Sequence, residues 1–293
     1  MIAFASNSLL CRLALKQTNI DAASFTFVRI VSGALALWLI RQGSNWLMVD
    51  RTAPPLADSS ADSSLVTHHR SLRSGDWLSA FALFVYAAAF SFAYLSLPAG
   101  TGALLLFGAV QGTMILWGFR AGESLRARQL AGLAIALSGL VALLFPGLSA
   151  PPLFGSILML GAGVAWGVYS LRGKAQENPI AATAGNFLRA VPFALVLGLV
   201  LFASLRLDRL GLACGVLSGA IASGIGYILW YAVLPGLKAM SAATVQLSVP
   251  VLTAAGGILL LGETPTLRFL FASIAILGGI ALVVINPARE RAT

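Results

Sequence analysis

Ten stretches of this chain are apolar over the length of a membrane-crossing helix, or nearly so, and no other feature narrows its folds as sharply. A bilayer core about 30 Å thick takes about 20 helical residues to cross. Seven of the runs hold no charged residue: 77–97, 99–119, 129–147, 152–171, 210–234, 239–261 and 269–285. Two more, 22–40 and 181–204, carry one arginine each, Arg29 and Arg189. The tenth, from Met1 to about Leu15, is short. None alternates with polar residues as a strand would, and their Gly and Ala content suits close helix packing in lipid. With 58% hydrophobic and only 10% charged residues, too little polar surface remains to cover a water-soluble fold of 293 residues. A soluble enzyme, a nucleic-acid module and a disordered chain are thereby excluded. Ten tilted helices leave no room for a separate soluble domain.

Residues 43–74 read as the one long loop, flexible and without a function of its own. It holds Pro54-Pro55, the run from Asp58 to Ser64, and His68-His69, read as a solvated pair rather than a metal site. The net charge of +9 follows from the loops. Arg41, Arg51, Arg70, Arg73, Arg120, Arg126, Arg128, Arg172, Lys174, Lys238, Arg289 and Arg291 fall on the side of both termini, twelve in all. Arg12, Lys16, Arg206, Arg209 and Arg268, five, fall on the other. Basic residues concentrate on the cytoplasmic side, so both termini are expected in the cytoplasm. Cys11 and Cys214 lie in apolar runs and form neither a metal spacing nor a disulfide framework.

The chain repeats itself. Comparing residue i with residue i + 140 aligns Gly122-Glu123 with Gly262-Glu263, Arg128 with Arg268, Leu137 with Leu277 and Gly139 with Gly279. Before the long loop the offset is 160, and Arg12 meets Arg172, Ala22 meets Ala182, Phe27 meets Phe187 and Arg29 meets Arg189. Two five-helix units follow one another, 1–147 and 148–293. An odd number of spans turns the second upside down relative to the first. Inverted repeats with a site at their interface near the midplane are a transporter plan. The first span lacks eight or nine residues that its mate possesses, about 12–13 Å of helix. Either the native start lies further upstream or the first helix is short at the cytoplasmic face.

Each half resembles the EamA-type unit of the drug/metabolite transporter superfamily. The resemblance is carried by Ser6-Asn7 followed by Arg12 and Lys16, with Ala165-Trp166-Gly167 as the mate. Phe27-Val28-Arg29 and Phe187-Leu188-Arg189 carry it further, as do Gly122-Glu123 and Gly262-Glu263. It spans nearly the whole chain outside 43–74. Within the superfamily the chain looks most like the YddG-type exporters of aromatic and other neutral amino acids. The resemblance implies an all-α membrane protein, with ten transmembrane helices in a basket around a central cavity in a bacterial inner membrane.

No acidic residue and no histidine sits mid-span. Proton-driven carriers use such groups as relays, so the expectation is alternating access driven by the solute gradient without a buried carboxylate relay. A multidrug exporter holding cations on a buried glutamate, and paired carboxylates for hydrolysis, are excluded on the same ground. Arg29 and Arg189 each lie about seven residues into a helix, roughly 10 Å of rise. A mid-helix arginine costs about 2.5–3.5 kcal/mol on insertion scales, so each requires a partner or a route to the interface. Topology proposes two inter-repeat links, Arg29–Glu263 and Arg189–Glu123, exchanged by the pseudo-twofold. The alternative is that the arginines meet carbonyls or headgroups and the glutamates cap the following helices.

Small-molecule cavities are mostly apolar with a few placed polar groups. Candidate lining residues are Tyr86 and Phe90, with Tyr94 on the same helical face, then Trp166, Tyr169, Tyr227 and Trp230. The candidate polar groups are Asn7, Gln111, Gln246 and Ser248. Pro250 lacks an N–H and would free the Gln246 carbonyl one turn earlier, a ligand for an ammonium group, while Asn7 and Gln111 could serve a carboxylate. Trp38, Trp46, Trp77 and Trp117 read as interface anchors, and Gly256-Gly257 and Gly278-Gly279 as packing seams or hinges. There is no P-loop pattern; no nucleotide, metal or covalent cofactor is expected. Beyond the bilayer and a neutral amino acid no partner is expected, with no nucleic acid and a monomeric or weakly dimeric chain. The alternatives are a carrier of another small metabolite or lipophilic drug, and, from another class, a non-transporting membrane sensor or assembly subunit.

Overall fold

The computed structural model describes residues 1–49, 74–120, 127–145, 147, 150–174, 176, 178–233, 246 and 248–284. These residues form helices and connecting turns, with no strand among them. In chain order the helices are α1 (Ile2–Gln17), α2 (Ala22–Val49), α3 (Trp77–Tyr94), α4 (Ala99–Arg120), α5 (Ala127–Leu144), α6 (Leu153–Lys174) and α7 (Pro179–Val200). They continue with α8, built of an α segment (Arg209–Val216), a π segment (Leu217–Ile225) and a second α segment (Gly226–Val233). The last two are α9 (Ser248–Leu261) and α10 (Leu267–Val284). Seven described helices are long and apolar enough to cross a bilayer; α9 and α10 are shorter apolar helices, and α1 is a helix of 16 residues. Two sequence expectations change. Helix α2 continues to Val49, past residue 42 where a loop was expected, because Trp46-Leu47-Met48-Val49 prolongs it without a breaker. The run 210–234 is not one α-helix but is interrupted by the π segment. His68 and His69 lie outside the described residues.

The starts are set by short polar side chains that take the orphan N–H groups of a first turn. Asp21 accepts from the Ala23 and Ser24 amides ahead of α2, and Asp76 from the Ser79 amide at α3. Asn178 accepts from the Ala181 amide at α7, where Pro179 fills the first position. Asp208 accepts from the Leu210 and Gly211 amides at α8.

Helix α1 packs between α8 and α9, and α6 packs between α3 and α4. Helix α2 lies against α7 and α8, α3 against α7, α4 against α9, and α5 against α10. The α5–α10 seam depends on small residues. A Cβ on Gly132 would fall 2.6 Å from the Gly279 carbonyl, and one on Gly139 2.7 Å from the Ala275 Cβ. Of the expected glycine seams, Gly279 lies in this contact and Gly256 faces Leu9 of α1, while Gly278 faces open space. Trp38, Trp77 and Trp117 are exposed on the outer surface, as interface anchors should be; the Trp46 side chain lies outside the described part.

Candidate functional site

The middle of the bundle is an aromatic cluster tied together by a polar knot. Tyr86, Phe90 and Tyr94 form a column on α3, with ring centroids 5.5 Å and 4.8 Å apart. Trp166 of α6 stacks on Tyr86 at 4.9 Å, on Tyr169 at 5.5 Å and on Tyr227 of α8 at 4.8 Å. Phe4 of α1 completes the group, 6.0 Å from both Trp166 and Trp230 and 5.9 Å from Tyr227. The rings contact one another in the region where a central cavity was expected. A cavity of about 450 Å³ lies elsewhere, over the α1–α2 and α7–α8 turns, lined by Thr18, Asn19, Asp21, Ser204 and Arg206 among others.

The knot is built from four helices. Asn7 of α1 donates from Nδ2 to the Tyr86 hydroxyl at 3.2 Å, and its Oδ1 accepts from the Ser218 hydroxyl. Arg29 of α2 donates from Nη2 to the same Tyr86 hydroxyl at 3.0 Å and from Nε to Ser223 Oγ at 3.3 Å. Its guanidinium carbon lies 5.0 Å from the Tyr86 ring centroid and 4.9 Å from that of Phe90, within range for cation–π attraction. Ser218 and Ser223 both belong to the π segment, whose i→i+5 hydrogen bonding brings residues five apart over one another. The segment can approach because Gly219 has no side chain: a Cβ there would fall on the Arg29 carbonyl and the Ser32 hydroxyl.

Arg29 is 2% exposed. Its two hydrogen-bond acceptors are neutral hydroxyls, and Nη1 has no acceptor among the described residues. The expected Arg29–Glu263 link is not formed. Glu263 is taken by Arg12, which donates from Nε to Oε1 at 3.0 Å and from Nη1 to the Tyr94 carbonyl at 2.8 Å. Glu263 Oε2 accepts the Ala99 amide at 2.7 Å, and the Tyr94 hydroxyl donates to the Ala99 carbonyl at 3.2 Å. This latch joins α1, the α3–α4 turn and the α9–α10 turn. Depth decides the pairing: Glu263 lies two residues past the end of α9 and pairs with Arg12, whereas Arg29 is buried in the middle.

At the opposite end Arg172 of α6 donates from Nη2 to Asp76 Oδ1 and from Nε to Ser79 Oγ, both at 2.9 Å. Burial pushes the Asp76 carboxyl up, but the hydrogen bonds from Ser79 and the charge of Arg172 outweigh it and hold the group below its ordinary value. Nearby, Arg189 donates from Nη1 to the Ser74 and Gly185 carbonyls. Its expected partner, Glu123, lies outside the described residues.

Of the residues singled out from sequence, Asn7, Tyr86, Phe90, Trp166, Tyr169, Tyr227 and Trp230 therefore converge. Gln111, Gln246 and Ser248 are carried by α4 and the α9 region, outside the helices that form the knot. Gln111 and Gln246 are buried, and Gln111 Nε2 and Gln246 Oε1 lack acceptor and donor among the described residues. Pro250 is buried in α9, four residues after Gln246, which is also helical. Sequence reasoning missed Phe4, Ser218 and Ser223 as site residues and placed Arg29 in a structural link. A signal for Arg29 existed: an arginine that deep with no acid at its level.

The described helices thus form a many-helix apolar bundle with a polar knot in an aromatic middle. The model of the EamA-like transporter family matches residues 153–285. A relative from Pseudomonas aeruginosa, an uncharacterized protein, is 53% identical over 100% of this chain and 96% of its own length. The chain belongs to the EamA-like transporter family. A probable amino-acid metabolite efflux pump of Salmonella typhimurium is 28% identical, over 64% of this chain and 68% of its own. Another of that name, from Escherichia coli, is 27% identical over 68% and 73%. A solved crystal structure shares the fold, with TM-score 0.60 at 19% identity and 97% of both chains covered.

Proposed function

We propose that this protein exports neutral amino acids, including aromatic ones, across a bacterial inner membrane by alternating access. The observation that carries the reading is the central knot. Asn7, Tyr86, Arg29, Ser218 and Ser223 present a few placed polar groups inside a shell of rings, the composition of a site for a small solute with one polar end and one apolar end. The names of the two enteric relatives point to the same class of solute.

The helix packing supports two inverted five-helix units, 1–147 and 148–293. Adding five to the first-unit helices, and subtracting five from the second, turns α1 on α8 and α9 into α6 on α3 and α4; both sets occur. The same exchange turns α2 on α8 into α7 on α3, and leaves α2–α7, α4–α9 and α5–α10 unchanged. The excess of basic residues assigns both termini, and the Arg172–Asp76 end, to the cytoplasm. The Arg12–Glu263 latch then faces the periplasm. Arg12 and Arg172 are mates under the 160-residue offset, so each face is closed by an equivalent arginine. Opening one while the other holds gives access to the knot from one side at a time. The absence of Asp, Glu and His from the middle of the spans leaves the solute gradient as the driving force.

Purified protein in liposomes, offered a panel of labelled neutral amino acids with and without a pH gradient, tests this. Movement of aromatic amino acids at a rate independent of the gradient is expected. Movement only of another solute class, or strong acceleration by the gradient, would overturn the substrate or the coupling respectively.

A further inference from the structure

We infer that Arg29 is the carboxylate anchor of the substrate site: its guanidinium takes the α-carboxylate of the solute, and the surrounding rings take the rest. The inference rests on the amino-acid reading above and names the chemistry by which that site recognises its solute.

Three observations meet at one group. First, Arg29 is 2% exposed in the middle of the bundle, and both described ion pairs belong to other arginines, Arg12 and Arg172. An arginine does not shed its proton, so the charge persists there. Its described hydrogen-bond and ring contacts are two hydroxyls and the faces of two rings. Second, the fork is unfinished. Nη2 and Nε are engaged, while Nη1 is buried without an acceptor among the described residues, although buried donors in native interiors are almost always paired. Third, the groups beside it are arranged for an anion. The Tyr86 hydroxyl accepts from both Asn7 and Arg29, which leaves its own proton to donate.

The class of anion follows from the charge count. One guanidinium faces one site, with no second cation hydrogen-bonded into the knot among the described residues. A planar fork with a single positive charge matches a carboxylate bidentately. The wall is equally specific: Phe4, Phe90, Trp166 and Tyr227 offer ring faces to an apolar or aromatic side chain. The ring pairs now in contact part as the solute enters, and its carboxylate completes the hydrogen bonding of Nη1. Arg189, the repeat mate, does not duplicate this role, since it donates to the Ser74 and Gly185 carbonyls near the end of the bundle. The repeat therefore supplies two arginines, of which the one in the first unit reaches the middle.

The test uses the purified full chain and ligand pairs that differ only in the acid. Thermal stabilisation is measured with L-phenylalanine against L-phenylalaninamide, and with 3-phenylpropionate against 3-phenylpropanamide. A site built to hydrogen-bond one group rejects the analogue without it. In the unmodified protein each acid should bind about tenfold or more tightly than its amide. In Arg29→Gln that ratio should fall to about one, and in Arg29→Lys, which keeps the charge without the fork, it should be intermediate. Equal binding of acid and amide by the unmodified protein, binding of neither, or an unchanged ratio in a folded Arg29→Gln variant overturns the assignment. The companion transport assay separates the two readings. If 3-phenylpropionate binds through Arg29 while no amino acid is moved in liposomes, the carboxylate anchor stands and the amino-acid reading falls. If amino acids move but the amide competes as well as the acid, the reverse holds.

Discussion

Arg12 and Glu263, separated by 251 residues of chain, form an ion pair of 3.0 Å in which each side chain is 11% exposed. Two further hydrogen bonds fix it: Arg12 Nη1 to the Tyr94 carbonyl, and the Ala99 amide to Glu263 Oε2. Removing one partner of such a pair leaves an uncompensated charge, a loss of about 3 kcal/mol or more. Arg12→Ala and Glu263→Ala should each lower the melting temperature in detergent, and the double variant should lose less than the sum. Additive losses would show that the two residues act independently. If the pair closes the periplasmic face, both variants should also label faster at Trp166 or Tyr86 positions replaced by cysteine and probed from that side.

Tyr86 accepts two hydrogen bonds from different helices, Asn7 on α1 and Arg29 on α2. Tyr86→Phe keeps the ring and its stacking on Trp166 but strips the acceptor. Two buried donors lose their partner, each worth about 1–3 kcal/mol when left unmade. Transport should fall several-fold, while a Phe84→Leu control, whose ring packs on Phe81 and Phe193 rather than on the knot, should retain more of it. Equal transport by Tyr86→Phe and the parent protein would remove the hydroxyl from the mechanism.

Gly219 sits where the π segment of α8 meets α2, and a Cβ there would collide with the Arg29 carbonyl and Ser32. The obstacle is backbone and cannot swing away. Gly219→Ala should destabilise by about 1–3 kcal/mol, the range for an overpacked core, and should displace Ser218 and Ser223 from Asn7 and Arg29. Gly278→Ala, where nothing lies within 4 Å, is the matched control and should be close to neutral by thermal melting.

Asp76 is held below the ordinary carboxylate value of 3.8, because the Ser79 and Arg172 hydrogen bonds exceed the opposing effect of burial. Asp21 is lowered in the same way, with the Arg206, Ser24 and Ala23 hydrogen bonds outweighing burial. A group depressed in the native state stabilises it fully above the unfolded value and ceases to do so as pH falls through the native one. Their contribution is therefore intact at neutral pH and disappears at acid pH, below about 4. Asp76→Asn should melt lower than the parent at neutral pH and converge on it as the solution is acidified. Parallel melting curves across that interval would refute the linkage.

Much of the fold is legible in the residues themselves. Apolar runs of 17–25 residues admit no other secondary structure in lipid, since a helix alone satisfies its own backbone within one segment. The duplicated Arg12/Arg172 and Gly122-Glu123/Gly262-Glu263 signals are the sequence basis of the two units proposed above. The absence of a mid-span acid is a property of the sequence. The aromatic members of the site were legible too, because i, i+4 and i, i+3 spacings place Tyr86 with Phe90, and Trp166 with Tyr169, on common faces.

What only the tertiary structure decided is how those faces turn toward one another. Topology says which end of a span a residue is near; it carries no information on the rotation of the helix about its axis or on the depth a long side chain attains. Arg12 and Arg29 enter from the same end, and rotation and depth together gave Glu263 to Arg12 and left Arg29 among rings and hydroxyls. The π segment is equally invisible to periodicity, since five-residue closure depends on what α2 and α1 press against Gly219 and Ser218. Local patterns are written along one helix, whereas the partner of a buried charge is chosen by the packing of several helices at once.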